Sequence, residues 1–306
     1  MLFIFKMRAV FRHSHQRGGF VMGGNLITKR SKIDMQQNLF TNVQPTSVSP
    51  AIAKPFVVCS AVDNMELLLS QPNESVNMIY SDILYGTGRN FGDYQDLKPI
   101  RSEIESHYLP RLIEMKRVLK QNGSIYLQMD TRINHWLRIL MDNVFGYDNF
   151  RNEIVFAYNG GGVSKKCYPK KHDIILFYTV SNEYYFNNEK KPYSALSSQN
   201  LLWKHRNKKR LEELNDGTPV TDVWTDLKFK INYQEEEYTG YATQKTKELL
   251  SRIVLASTNE GDTVSDYYLG SGTTALVCQE LNRNFIGCDI NEKAIELTKS
   301  RLLNGR

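Results

Sequence analysis

From Thr263 the chain reads as an apolar strand that runs through Asp266 to Tyr268, breaks at Gly270-Ser271-Gly272 and continues from Thr273 as a helix. Few folds accommodate that succession. Glycines let the backbone reverse tightly and come close to a ligand, because no Cβ intervenes. A helix that starts there presents unpaired N–H groups and the positive end of its dipole. A second strand, Asn284 to Cys288, follows, and the acid that ends it, Asp289, lies 19 positions beyond Gly270. At about that spacing a carboxylate accepts hydrogen bonds from the ribose of a bound nucleotide. The expectation is an α/β fold: a doubly wound, mostly parallel sheet of Rossmann type.

The rest of the chain extends the alternation. Val76 to Tyr80 is a short buried-strand run that delivers the chain to Ser81-Asp82-Ile83-Leu84-Tyr85-Gly86. Ile104, Tyr108, Leu112, Met115 and Leu119 recur at helical spacing, Asn122-Gly123 should stop that helix, and Ser124 to Met129 reads as the next strand. Leu137, Leu140, Met141, Val144 and Phe145 mark a further helix, and strand-like runs follow at Glu153 to Tyr158 and Asp173 to Thr179. Periodicity fades over 180–240, then returns in helices around Leu249, Leu250, Ile253 and Val254 and from Asn291 to Leu303. Four segments are expected: a loosely ordered arm over 1–50, a half-domain carrying Asp82 over 51–160, a substrate-facing insert over 161–240, and a half-domain carrying the glycine turn over 241–306.

Composition excludes several classes. Hydrophobic residues at 41% and charged residues at 24% suit a globular chain rather than a disordered one. No apolar run reaches the ~18–20 residues of a membrane span. The opening MLFIFKMRAVF lacks a long apolar core and a small-residue cleavage site, so a cytoplasmic protein without a membrane partner is expected. Cys59, Cys167, Cys278 and Cys288 are scattered, with no metal-ligand spacing, and neither a metal nor a cysteine nucleophile is expected. The net charge of +6 matters for its distribution. Lys165, Lys166, Lys170 and Lys171 form one basic cluster and Arg206, Lys208 and Lys209 belong to a second, with Tyr168, Tyr184, Tyr185 and Trp203 interleaved. Either cluster alone would suit a solvated face; two among aromatics point to a phosphate-contacting surface.

Two ligands fit the glycine turn on these grounds. Gly270-Ser-Gly272-Thr273-Thr274-Ala275 satisfies the dinucleotide pattern, which leaves a nicotinamide cofactor open. Asp266, just before the turn, favours S-adenosylmethionine, whose ammonium group calls for a nearby carboxylate. Asp82-Ile83-Leu84-Tyr85 stands at a strand end, where open α/β sheets carry their sites. An exocyclic base nitrogen is a poor nucleophile, because its lone pair is delocalised into the ring. Acceptors aimed at its N–H groups, such as the Asp82 carboxylate and the Ile83 carbonyl, would stabilise the charge that develops on it. The Tyr85 ring can stack on a base that has left the duplex. A strand end with a capping Asp and a buried Tyr remains the plainer alternative for this turn.

Together these residues resemble the β group of DNA amino-methyltransferases, in which the catalytic motif comes first, target recognition next and the cofactor motif last. The family's Asp-Pro-Pro-Tyr corresponds to Asp82-Ile83-Leu84-Tyr85. Gly123-Ser-Ile-Tyr-Leu-Gln-Met-Asp130, Asn149 to Val155 and Lys170 to Phe177 resemble its later motifs, and the likeness spans about Pro55 to Leu303. Val223-Trp-Thr-Asp226 and Thr239 to Lys245 resemble the approach to its cofactor, so Gln244 and Lys245 join Asp266, Gly270, Ser271, Gly272, Thr273, Thr274 and Asp289 as cofactor-site residues. The resemblance implies N6 methylation of adenine in double-stranded DNA, with a cognate restriction endonuclease and a homodimer as candidate partners. N4 methylation of cytosine and a DNA-binding relative that has lost turnover are the alternatives. Both prolines of the tetrapeptide are absent, which removes their fixed φ and some preorganisation. Restoring them is expected to preserve or raise the rate.

Overall fold

The computed structural model describes residues 55–92, 94–158, 163–192 and 217–305. The expected N-terminal arm therefore lies outside the described residues, as do Arg206, Lys208 and Lys209. Ten strands and six α-helices alternate through the described residues. They are β1 (Val57–Ala61), α1 (Asn64–Ser70), β2 (Val76–Asp82), α2 (Arg101–Val118), β3 (Leu119–Met129) and α3 (Asn134–Phe145), then β4 (Phe150–Ala157), β5 (His172–Thr179), β6 (Lys190–Lys191), β7 (Thr218–Pro219) and β8 (Val223–Trp224). The chain closes with α4 (Lys247–Ser257), β9 (Thr263–Asp266), α5 (Thr273–Glu280), β10 (Asn284–Asp289) and α6 (Glu292–Asn304). No described helix is long and apolar enough to cross a membrane.

Eight strands form one sheet in the order β1-β10-β9-β2-β3-β5-β4-β8. The first five run parallel, β5 is antiparallel to both β3 and β4, and β8 runs parallel to β4. Strands buried on both faces need near-continuous apolar runs, and β2, β3 and β5 supply them. One face packs Ile79, Ile125, Leu127, Ile174 and Leu176 with α2 and α3; the other packs Met78, Tyr126, Ile175 and Phe177 with Leu250, Ile253 and Val254 of α4. This is the doubly wound fold that the strand–helix alternation implied.

Two boundaries move. Asn122-Gly123 does not stop α2: the helix ends at Val118, and Leu119, still buried, opens β3. The register of β2 against β3 shifts between Val76–Leu119 and Met78–Ser124, so Lys120 to Gly123 form a bulge inside the strand. The insert expected over 161–240 also begins too early. His172–Thr179 lie between β3 and β4 in the central sheet, and Asp173 to Thr179 are all buried. A buried strand so placed is part of the core, not a substrate-facing segment.

Candidate active site

The chain leaves β9 through α5 towards β10 on one side and leaves β2 through α2 towards β3 on the other. A crevice must open where the two directions part, beyond the carboxyl ends of β9 and β2. A cavity of about 490 Å³ occupies it, lined by both the Asp82–Tyr85 turn and the glycine turn. An acid stands at or just beyond the end of each of the five parallel strands: Asp63 after β1, Asp289 on β10, Asp266 on β9, Asp82 on β2 and Asp130 after β3. All but Asp130 line the cavity.

Hydrogen bonds fix the proline-less turn. The Ile83 N–H donates to the Gln128 carbonyl at 3.1 Å, and the Tyr108 hydroxyl donates to the Leu84 carbonyl at 2.9 Å. The next turn is held by Asp96, whose carboxylate accepts from the Gly86 N–H at 3.1 Å and the Thr87 N–H at 2.7 Å. A proline at position 83 would remove a donor that this chain uses, so restoring the family tetrapeptide is not the simple gain expected from sequence. Asp82 itself is doubly engaged. Its Oδ1 accepts from the Tyr85 hydroxyl at 2.8 Å, and its Oδ2 pairs with the Lys245 ammonium. Burial pushes the Asp82 carboxyl above its ordinary range, against the opposing pull of Lys245.

The glycine turn is equally determined. Gly272 has φ +77°, and a Cβ there would come within 2.3 Å of Thr298 Oγ1, so no other residue fits without displacement. Asp289 Oδ2 accepts from the Gly270 N–H at 2.8 Å, which ties the ends of β9 and β10 together. Thr274 donates to Asp266 Oδ2 at 2.6 Å, and the Thr273 hydroxyl donates to the Lys245 carbonyl at 3.1 Å. Ser271 is buried, and its carbonyl accepts from Arg301 of α6 at 2.7 Å. Gln244 departs from expectation. Its amide accepts from Thr239 and donates to the Glu237 carbonyl, so it braces its own loop and does not line the cavity. Lys245 does line it, but its ammonium sits on Asp82 and 5.5 Å from the centre of the Tyr85 ring.

The charge of the cavity separates the two nucleotide readings. Asp63, Asp82, Asp96, Asp266 and Asp289 line it, against two cationic side chains, Lys245 and Arg111, already paired with Asp82 and Asp63. His107 adds no charge at neutral pH, since burial and Arg111 lower it to about 4. Asp266 is 2% exposed, has no cation paired with it among the described residues, and is pushed up to about 7 by burial. A cavity of this sign suits a ligand bearing positive charge and would repel a pyrophosphate. S-adenosylmethionine, with its ammonium and sulfonium, fits; a nicotinamide dinucleotide does not.

Several lining residues escaped the sequence reading. Asp63 caps α1 by accepting from the Met65 N–H at 2.8 Å, and Asn64 is fixed by Arg111 at 2.6 Å. An acid at a strand-to-helix junction was the available signal. Phe91 and Tyr94 stack with ring centres 5.1 Å apart on the loop after the Asp82–Tyr85 turn, and Tyr241 lies against Gly270. No periodicity marks such loop aromatics. Of the described basic residues, Lys165, Lys166 and Lys170 are exposed between β4 and β5. Lys171 lines a second groove with Lys228, Lys230 and the stacked pair Tyr158–Phe229, whose ring centres are 3.6 Å apart. Cys278 and Cys288 are buried, and burial raises both thiols, which does not suit a nucleophile.

The sequence pattern of the DNA methylase family matches residues 76–300. Type II methyltransferase M.HpaI of Haemophilus parainfluenzae is 32% identical over 249 residues, covering 80% of this chain and 73% of the relative. DNA adenine methyltransferase YhdJ of Escherichia coli (strain K12) is 32% identical over 244 residues, covering 78% of this chain and 80% of the relative. Among solved structures, the M1.HpyAVI–SAM complex superposes with a TM-score of 0.52 at 19% identity, covering 81% of this chain and 100% of that one. The cytosine-N4-specific PvuII DNA methyltransferase does so with a TM-score of 0.55 at 16% identity, covering 83% and 96%. At those identities the two structures share the fold.

Proposed function

Because the chain belongs to the DNA methylase family, we propose that it transfers a methyl group from S-adenosylmethionine to N6 of adenine in duplex DNA. The observation that carries this reading is the meeting of Asp82 and Tyr85 with Asp266, Gly270 and Asp289 around one cavity. Asp at the head of the tetrapeptide favours adenine over cytosine, as does the named activity of YhdJ. The type II names of M.HpaI and its like support a restriction–modification setting with a cognate endonuclease. A homodimer, the other candidate partner, is tested by sedimentation.

Asp266 would hold the ammonium of S-adenosylmethionine and Asp289 its ribose, with the glycine turn giving the backbone close approach. When bound, S-adenosylmethionine supplies an electrophilic methyl group on a sulfonium. The chain's own residues prepare the nucleophile. Asp82 accepts a hydrogen bond from the target amine, and the Ile83 carbonyl is the second acceptor beside it. Acceptors fixed before reaction cost no reorganisation while positive charge grows on the nitrogen. The Tyr85 ring offers a stacking surface worth ~1–3 kcal/mol to the extruded base. Lys170, Lys171, Lys228 and Lys230 would contact phosphates along the second groove and the β4–β5 connection.

Expression in methylation-free cells, followed by long-read sequencing for modified bases, tests the reading. N6-methyladenine at a defined motif, absent with Asp82→Ala, is the expected result. N4-methylcytosine would replace adenine by cytosine, and no modification at all would leave a chain that binds without turnover.

A further inference from the structure

The Tyr85 hydroxyl has two acceptors and one proton. It lies 2.8 Å from Asp82 Oδ1 and 2.9 Å from Asp173 Oδ2. Asp173 opens β5, is 3% exposed, and is itself held by the Gln128 amide at 3.0 Å. Gln128, wholly buried, accepts in turn from the Tyr80 hydroxyl at 2.7 Å. Strand register builds this chain of contacts. Asp82 pairs with Gln128 across β2 and β3, Gln128 pairs with Ile175 across β3 and β5, and Asp173 lies two residues along the same face of β5. Tyr158 also hydrogen-bonds Asp173.

The arrangement sets a conflict at Asp82. Lys245 occupies its Oδ2, so an incoming amine must take Oδ1, the atom that the Tyr85 hydroxyl now uses. We infer that Asp173 is a positioning residue, held by Gln128, that takes over the Tyr85 hydroxyl when the target amine claims Asp82. The Tyr85 ring then stays where a base can stack on it while the catalytic carboxylate is released. Without the second acceptor, the hydroxyl would fall back on Asp82 and compete with the substrate. The inference rests on the methyltransfer reading above, since it concerns the same turn.

The test is a double-mutant cycle on single-turnover methylation, with S-adenosylmethionine affinity and thermal melting measured alongside. Asp173→Asn keeps the shape but replaces the charged oxygen that accepts from both Gln128 and Tyr85 with a neutral amide, a weaker acceptor. It should slow methylation about 10- to 100-fold, the cost of misplacing one catalytic group. Cofactor affinity should change less than about twofold, because Asp173 does not line the cofactor cavity. Tyr85→Phe alone should be milder, since it has no hydroxyl to compete for Asp82. The double variant should therefore be faster than Asp173→Asn alone, a rescue that a merely structural role for Asp173, or a role through Tyr158, would not give. A double variant as slow as Asp173→Asn, or slower, overturns the inference, as does Asp173→Asn methylating at the parent rate. If Asp173→Asn fails to fold, Gln128→Met decides, with a smaller slowing that Tyr85→Phe also relieves; a parent rate there overturns it. Parent protein that never methylates would instead remove the methyltransfer reading on which the inference stands.

Discussion

Replacing Ile83 and Leu84 by proline, one at a time, separates what the turn needs from what the family pattern suggests. Ile83 is 3% exposed, and its N–H donates to the carbonyl of Gln128, which is fully buried. Proline there deletes the donor and strands that carbonyl, a loss of ~1–3 kcal/mol for an unsatisfied buried group. The smaller ring also vacates part of the space filled by the isoleucine, adding ~1 kcal/mol. Leu84 differs. Its carbonyl accepts from Tyr108, which proline preserves, and among the described residues its N–H donates to nothing. Leu84→Pro should therefore lie within ~1 kcal/mol of the parent, with some gain from a stiffer unfolded chain. For a domain of this size each kcal/mol moves the melting temperature by ~2–4 °C. Ile83→Pro should melt ~5–15 °C lower on that scale, and Leu84→Pro within ~4 °C of the parent. Differential scanning calorimetry reads both, and single-turnover methylation well below the melting point should survive in each, because position 83 keeps its carbonyl. Equal melting losses in the two variants would refute the assignment of the Ile83 bond as the fixing contact.

Three further outcomes are expected. Asp266 is pushed up to about 7 when no cation faces it, and a bound ammonium must lower it, so the complex holds fewer protons than the free protein. Affinity for S-adenosylmethionine should be flat above about pH 7 and fall by up to ~10-fold per unit below it, with proton release on binding at pH 6 in calorimetry; proton uptake would contradict the sign. Gly272→Ala places a Cβ 2.3 Å from Thr298 Oγ1 at φ +77°, and should destabilise the chain by ~2–4 kcal/mol from overpacking and backbone strain; chemical denaturation with an unchanged midpoint would refute the close approach. Replacing Lys165, Lys166, Lys170 and Lys171 with alanine should flatten the slope of log K against log salt by ~0.9 for each phosphate no longer neutralised, whatever the DNA sequence; an unchanged slope would return them to the solvated surface.

Much of the site was legible because the residues that build it announce themselves locally. A strand that ends on Asp266, two glycines and a helix from Thr273 are contiguous, and Asp289 follows at a spacing set by one helix and one strand. Asp82 and Tyr85 sit three positions apart on one turn. Asp173 was not legible as a site residue, because only the antiparallel register of β5 against β3 brings it to Tyr85 from 88 positions away. Lys245 was legible as a site residue but not in its contact, since pairing with Asp82 depends on how a loop 163 positions distant folds back. The helix stop at Asn122-Gly123 misled because a glycine punctuates a bulged strand as readily as a helix end. Gln244 misled because the resemblance of the Thr239 to Lys245 segment to a family motif says nothing of which way an amide points.

The row of acids along the sheet rim is what joins these details. Burial penalises the charged form of Asp82 and Asp266 alike, so the protein holds both carboxyls above their ordinary range. Such sites persist when function requires them, not because they stabilise the fold. One cation of the chain, Lys245, is assigned to Asp82, the carboxylate proposed to accept from the target amine. Asp266 is left without one among the described residues, and its partners there are neutral donors, the Tyr268 N–H and the Thr274 hydroxyl, which a cation need not displace. The difference fits two roles. A carboxylate that binds a cationic ligand gains most if its own cation is withheld, whereas one that accepts from a neutral amine needs its charge held in place by the protein. On this logic the two halves of the crevice are distinguished by where the chain places its lysine, and the distinction follows from the charges alone.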